Sequence, residues 1–217
     1  MTPADQSRHA ANICALAPVI PVLVINDASR AEGLARALVA GGLPALEVTL
    51  RTPAALDAIR AMAAVEGGMV GAGTLLTPAD VKAAKAAGAR FGVAPGATDR
   101  LIAACEDEGL PLLPGAATAS EVMALLEKGF SVQKFFPAES IGGAAALKAL
   151  GAPIPQVGFC PTGGITPGNI GDYLALKNVL CCGGSWVAPA DAVANGDWKR
   201  IEELARAAAG LKRASQG

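Results

Sequence analysis

The strongest constraint on this chain is a repeat of arrangement rather than of residues. Eight times a short apolar run is followed by a polar turn, an alanine-rich stretch and a return to another apolar run, often through glycine. The apolar runs are 18–25 (PVIPVLVI), 45–50, 69–73, 90–94, 111–114, 131–136, 156–160 and 179–183. They are too short for helices and rich in β-branched or glycine residues, so they read as strands. Helical stretches follow at 28–40, 53–65, 78–87, 99–108, 119–128, 142–150, 167–175 and 197–212, and a short leading helix spans 2–16. Thr52-Pro53, Thr77-Pro78 and Thr166-Pro167 each offer an N-cap hydroxyl with proline at the first helical position, and Thr118 with Glu121 fits a capping box. Glycine marks helix ends at Gly41-Gly42, Gly88 and Gly129.

A helix after every strand makes successive strands parallel. Eight such units within 217 residues predict one (β/α)8 TIM barrel domain over 1–217, with a short N-terminal helix. The alternative, a doubly wound open sheet, lacks a G-x-G-x-x-G after an early strand. Hydrophobic residues make up 52% of the chain, ample for a large core, and the formal net charge is −1 with no basic or acidic block. Neither nucleic acid nor a membrane surface is expected as a partner. No apolar run is long enough to span a bilayer and the N-terminus lacks a secretory pattern, so a cytoplasmic location is expected. The five cysteines show no CxxC spacing and read as buried free thiols, and adjacent Cys181 and Cys182 should face opposite ways. The single histidine, His9, reads as a surface residue, which leaves no zinc site and no cofactor to expect.

In such a barrel, chemistry sits at the C-terminal ends of the strands. Seven lysines, including Lys82, Lys148 and Lys199, fall on helices or at their ends, whereas Lys134 lies inside the strand SVQKFF. With a period of two, Val132, Lys134 and Phe136 share a face. Apolar walls favour the neutral amine, a nucleophile able to form a Schiff base with a ketone. A lone strand lysine most often snorkels to water, and only its company argues otherwise. Glu47 is the one carboxylate inside a predicted strand, and Glu47, Thr49 and Arg51 share one face while Val48 and Leu50 meet the helices. A purely structural Glu47–Arg51 ion pair is the alternative reading. Thr74 ends the third strand, as either a turn residue or a ligand contact. Thr162-Gly163-Gly164 and Gly183-Gly184-Ser185 end the last two strands, where these barrels commonly bind phosphate. An apolar-walled lysine, an acid, an arginine and a phosphate cradle suit Schiff-base chemistry on a phosphorylated keto acid.

The stretches PVIPVLVI, GG-x-x-x-LEVTLRT, VGAGTLL, PGAAT, KFFPAE, FCPTGGITP, YLALKNVLCCGGSW and VAPADA resemble the bacterial 2-keto-3-deoxy-6-phosphogluconate aldolases of the Entner–Doudoroff pathway, over roughly residues 16–205. The resemblance implies that Lys134 is the Schiff-base lysine and Glu47 the proton-transfer residue. It implies that Arg51 and Thr74 bind the pyruvate-half carboxylate and that Phe136 forms a pocket wall. Thr162, Gly163, Gly164 and Ser185 would take the substrate hydroxyl and phosphate end. A homotrimer is implied as well. Ser140 stands where close relatives often carry asparagine, and the two tails match poorly.

The resemblance implies cleavage to pyruvate and glyceraldehyde 3-phosphate, with a side activity on 4-hydroxy-2-oxoglutarate. A galactonate-series aldolase tends to carry a small apolar residue at the position of Thr162. A phosphosugar isomerase on the same barrel would leave Lys134 without covalent work, and a silent phosphate-binding protein would leave the lysine, acid and arginine idle.

Overall fold

A computed structural model describes residues 1–214. Its strands are β1 (Val19–Leu23), β2 (Ala45–Thr49), β3 (Met69–Gly73), β4 (Gly92–Val93), β5 (Leu112–Leu113), β6 (Gly115–Ala116), β7 (Val132–Phe135), β8 (Gly158–Pro161) and β9 (Cys182–Gly184). β5 and β6 are halves of one barrel strand, interrupted at Pro114, whose ring nitrogen has no proton for a ladder bond. The first half pairs with β4 and the second with β7, so the sheet turns a corner there without leaving an edge. β9 pairs with β1, and bridges Phe159↔Val179 and Thr162↔Gly183 join its approach and its first turn to the β8 side. All pairings are parallel, and they close the sheet into a barrel of eight strand positions.

The alternation read from the sequence sorts the side chains into two cores. Leu46 and Val48 of β2, with Phe135 and Phe159, pack outward against helix residues such as Leu34, Leu38 and Ile59. Ile20, Ala45, Phe91, Val93, Leu113, Val132, Cys160 and Cys181 fill the inside. Cys182 belongs to the outer core, so the two adjacent cysteines do face opposite ways.

The leading helix, Pro3–Ala15, stoppers the N-terminal end of the barrel with Ala10, Ile13 and Cys14. Strand donors anchor it: Leu112 N–H donates to Gln6 Oε1 at 3.1 Å and Val132 N–H to Ser7 Oγ at 2.9 Å. Near the other end of the chain, Arg213 donates to the carbonyls of Cys14, Ala15 and Leu180, capping that helix and tying it to the approach to β9. His9 is exposed, as expected.

Thr118 forms the expected capping box with Glu121, and Thr77, expected as an N-cap before proline, caps its helix and adds a box with Asp80. The other two Thr-Pro signals do not cap. The helix after Thr52 begins only at Ala55, and Thr52 donates its hydroxyl to the Ile25 carbonyl instead. The helix after Thr166 is shortened to Ile170–Leu174, because Asn169 Oδ1 accepts from Thr166 N–H and Asn169 Nδ2 donates to Gly164 O, folding the segment into a turn. A helix at Ala190–Asn195 was not anticipated, and 3-10 turns at Ala28–Arg30 and Glu139–Ile141 replace part of what reads as helix or loop. Among the described residues no helix is long and apolar enough to cross a membrane.

Candidate active site

Register brings the two buried charges together. Lys134 lies opposite Gly115 on one side and Cys160 on the other, and Glu47 lies between Val22 and Gly71. Both side chains point into the barrel, where Lys134 Nζ donates to Glu47 Oε1 at 3.3 Å. They are 7% and 4% exposed, so water screens the pair little. The alternative Glu47–Arg51 ion pair is not what forms; the acid has chosen the lysine. Phe136 supplies the wall predicted for the lysine, with Nζ 5.2 Å from the ring centroid. Phe135, one residue earlier, points outward against Phe159, at 6.4 Å and 77°.

Burial pushes the Glu47 carboxyl above its ordinary value, and the Lys134 charge only partly offsets this. A carboxyl raised in this way holds a proton more readily than an exposed glutamate does, which suits an acid that must both take and return one. Room for it comes from Gly73. A Cβ there would lie 2.3 Å from Glu47 Oε1 and 2.7 Å from its Cγ.

Arg51 stands exposed at the mouth, one turn of the pleat above Thr49. The Thr49 hydroxyl donates to Leu23 O at 2.9 Å and accepts from Arg51 Nε at 3.2 Å, so a buried threonine aims the guanidinium. Thr74 has φ of 63°, the one described non-glycine residue in the left-handed region. That conformation is costly for a β-branched residue and is found where a site dictates the backbone.

At the other side of the mouth, Thr162 is buried with its Oγ1 unpaired, and Gly163 and Gly164 follow with φ of 105° and 77°. Among the described residues nothing accepts from the Gly163 and Gly164 N–H groups, which leaves two donors beside a free hydroxyl. Two successive left-handed glycines make the kind of backbone concavity that takes an anion. The loop is held from behind: Glu139 N–H donates to Gly163 O at 3.0 Å, Asn169 Nδ2 to Gly164 O at 3.1 Å, and Tyr173 to the Glu139 carboxylate. Ser185 follows β9, exposed, on the edge of a cavity of about 520 Å³ that also touches Val24, Arg30 and Ala190. Neither Lys134 nor Glu47 lines that cavity.

Glu47 and Lys134 thus lie within β2 and β7 with their side chains in the barrel, while Arg51, Thr74, Phe136, Thr162, Gly163, Gly164 and Ser185 lie just beyond the C-terminal ends of their strands. Thr49, Gly73 and Glu139 were not among the residues singled out in the sequence. Thr49 shared a face with Glu47 and Arg51 and was within reach of the reading; the other two act through close approach and loop support, which strand periodicity does not report. Among the described residues, one group of metal-ligating atoms converges closely: Cys160, which faces Lys134 in register, with Cys14 and Cys181.

The family model "KDPG and KHG aldolase" matches residues 10–204. The chain is 52% identical over 200 residues to the KHG/KDPG aldolase of Escherichia coli K12, covering 92% of this chain and 94% of that one. It superimposes with a TM-score of 0.92 on the 2-keto-3-deoxy-6-phosphogluconate aldolase of Zymomonas mobilis ZM4 crystallised with 3-phosphoglycerate, at 48% identity, covering 97% of this chain and 100% of the other. A third similar protein is the KDPG aldolase of Legionella pneumophila, solved with pyruvate captured as a covalent carbinolamine intermediate. Its TM-score is 0.89 at 46% identity, over 92% of this chain and 98% of that one.

Proposed function

The chain belongs to the KDPG and KHG aldolase family, and from that membership we propose that it cleaves 2-keto-3-deoxy-6-phosphogluconate through a Schiff base on Lys134. The observation that carries the reading is the buried pair itself, Lys134 Nζ at 3.3 Å from a carboxyl raised by burial, under an aromatic wall. In the proposed sequence Glu47 takes a proton from Lys134, Nζ attacks C2 of the keto acid, and Glu47 returns the proton to the departing hydroxyl, so that loss of water leaves an iminium and a carboxylate ready for the next step. Glu47, directly or through a water, then removes the proton of the C4 hydroxyl. The C3–C4 bond breaks, glyceraldehyde 3-phosphate leaves, and the iminium takes the electron pair as an enamine. Protonation at C3 and hydrolysis release pyruvate.

Arg51, aimed by Thr49, would clamp the substrate carboxylate, and Thr74 would sit against the same end. The unpaired Thr162 hydroxyl suits a substrate hydroxyl, while the Gly163 and Gly164 N–H groups and Ser185 would take the phosphate end. No cofactor enters this scheme, because the iminium is the electron sink. A hydroxyl at Thr162 favours the gluconate over the galactonate substrate. The name of the Escherichia coli relative supports a side activity on 4-hydroxy-2-oxoglutarate. We propose further a single-domain enzyme that assembles as a homotrimer in the cytoplasm. Five reduced cysteines fit that compartment, and light scattering would test the trimer.

The test is borohydride reduction in the presence of pyruvate, followed by peptide mapping. A pyruvate adduct on Lys134 is expected. An adduct on another lysine would overturn the site, and no adduct in folded protein would favour an isomerase on the same barrel.

A further inference from the structure

Three buried thiols, one of them the register neighbour of Lys134, are given no part in this chemistry. Cys14, Cys160 and Cys181 come from three separate elements, the N-terminal helix, β8 and the approach to β9, and their sulfur atoms all lie within 4.8 Å of one another. Cys181 donates to Cys160 at 3.5 Å. They are 1%, 2% and 0% exposed. Ala10, Ile13, Ile20, Leu113 and Val132 surround them. A cavity of about 10 Å³ beside Cys14, walled by Ile20, Phe91 and Leu113, leaves a little free space without the polar partners that a water needs. Cys105 and Cys182 belong to no such group among the described residues, and packing as small apolar side chains accounts for them.

We propose that Cys14, Cys160 and Cys181 form a trithiol binding site for a trivalent metalloid of the arsenite class. Charge and sulfur count select the ligand. Three thiolates in an apolar pocket would carry three negative charges, which burial forbids unless the ligand cancels them. A divalent ion such as zinc leaves one charge over and needs a fourth ligand that the pocket does not offer. A monovalent soft ion leaves two. A trivalent centre gives a neutral complex that an apolar shell tolerates, and soft sulfur is its matching donor. Arg213, hydrogen-bonded to the carbonyls of Cys14, Ala15 and Leu180, and Lys134, beside Cys160, ease part of that charge but supply no fourth sulfur, so the three-sulfur geometry is what separates a trivalent metalloid from zinc.

Binding is a ligand exchange without oxidation: arsenous acid and three thiols give one trithiolate and three waters. Three As–O and three S–H bonds break, and three As–S and three O–H bonds form. Entry requires the N-terminal helix to lift, so loading proceeds at the rate of that local opening.

The test is to incubate the full, reduced chain with arsenite, and separately to refold it in arsenite so that entry is not limiting. Arsenic is then counted by native mass spectrometry and its neighbours by X-ray absorption. One arsenic per chain with three sulfur neighbours is expected. Retention through gel filtration should fall about tenfold or more in Cys14→Ala and in Cys181→Ala, and stay unchanged in Cys105→Ala. Two or fewer sulfur neighbours, equal retention in all variants, or no arsenic even after refolding would overturn the proposal.

Discussion

Gly73→Ala is the sharpest test of how the barrel holds its acid. Gly73 is not in the left-handed region, so alanine meets no backbone penalty there and the perturbation is steric alone. Its new Cβ would stand 2.3 Å from Glu47 Oε1, against an ordinary contact of 3.4 Å or more. The carboxyl must therefore retreat by about 1 Å, the scale of misplacement that costs catalysis about a hundredfold, or about 2.7 kcal/mol of barrier. Glu47 is 4% exposed and enclosed, so it cannot swing to water and return at will. Lys134 keeps its position on β7, so the extent of borohydride trapping with pyruvate should survive while turnover falls. The assay is steady-state cleavage with coupled detection of pyruvate, run beside trapping and a melting curve. A folded Gly73→Ala enzyme with turnover within about threefold of the wild type would refute the placement of Glu47 as the proton-transfer group.

Three further outcomes are expected. A carboxyl raised in the folded state holds its proton more tightly there than in the unfolded chain. Its contribution to stability is full below the ordinary carboxylate range and is lost as pH rises through the raised value. Lys134→Met removes the offsetting charge, so its urea midpoint should fall with rising pH more steeply than that of the wild type, and adding Glu47→Gln should flatten the curve. Thr74→Gly releases a left-handed threonine; relief of about 1–3 kcal/mol less the entropy cost of glycine leaves about 1 kcal/mol of added stability, read by denaturant titration, with a higher KM. Thr49→Val unhooks Arg51 from its guide, and KM should rise several-fold while trapping on Lys134 persists; an unchanged KM would remove Arg51 from the carboxylate clamp.

The fold was legible because each strand–helix unit carried its own punctuation. Thr77, Thr118 and the glycines at 42, 88 and 129 behave as local physical chemistry says they must, and local rules survive tertiary packing when nothing competes. Where they failed, something did compete. Thr52 found the Ile25 carbonyl of the preceding strand's loop, and Asn169 turned the chain after Thr166 towards the Gly163–Gly164 loop. The two lost caps both lie beside the mouth of the barrel, where side chains that would otherwise serve a helix hold loops in place.

The site divides the same way. Lys134 and Glu47 were visible because a charge inside an apolar strand has no cheap explanation, and burial bears that out at 7% and 4% exposure. What a strand pattern cannot display is absence of matter. Gly73 matters through a Cβ it lacks, and Gly183 likewise, since a Cβ there would lie 2.3 Å from Thr162 Oγ1. The two glycines make room for the carboxyl and the hydroxyl that the proposed mechanism uses, on opposite sides of the lysine's mouth. A barrel built from alanine, valine and leucine at those two positions would keep its fold and its lysine and still have nowhere to put the groups that work with it.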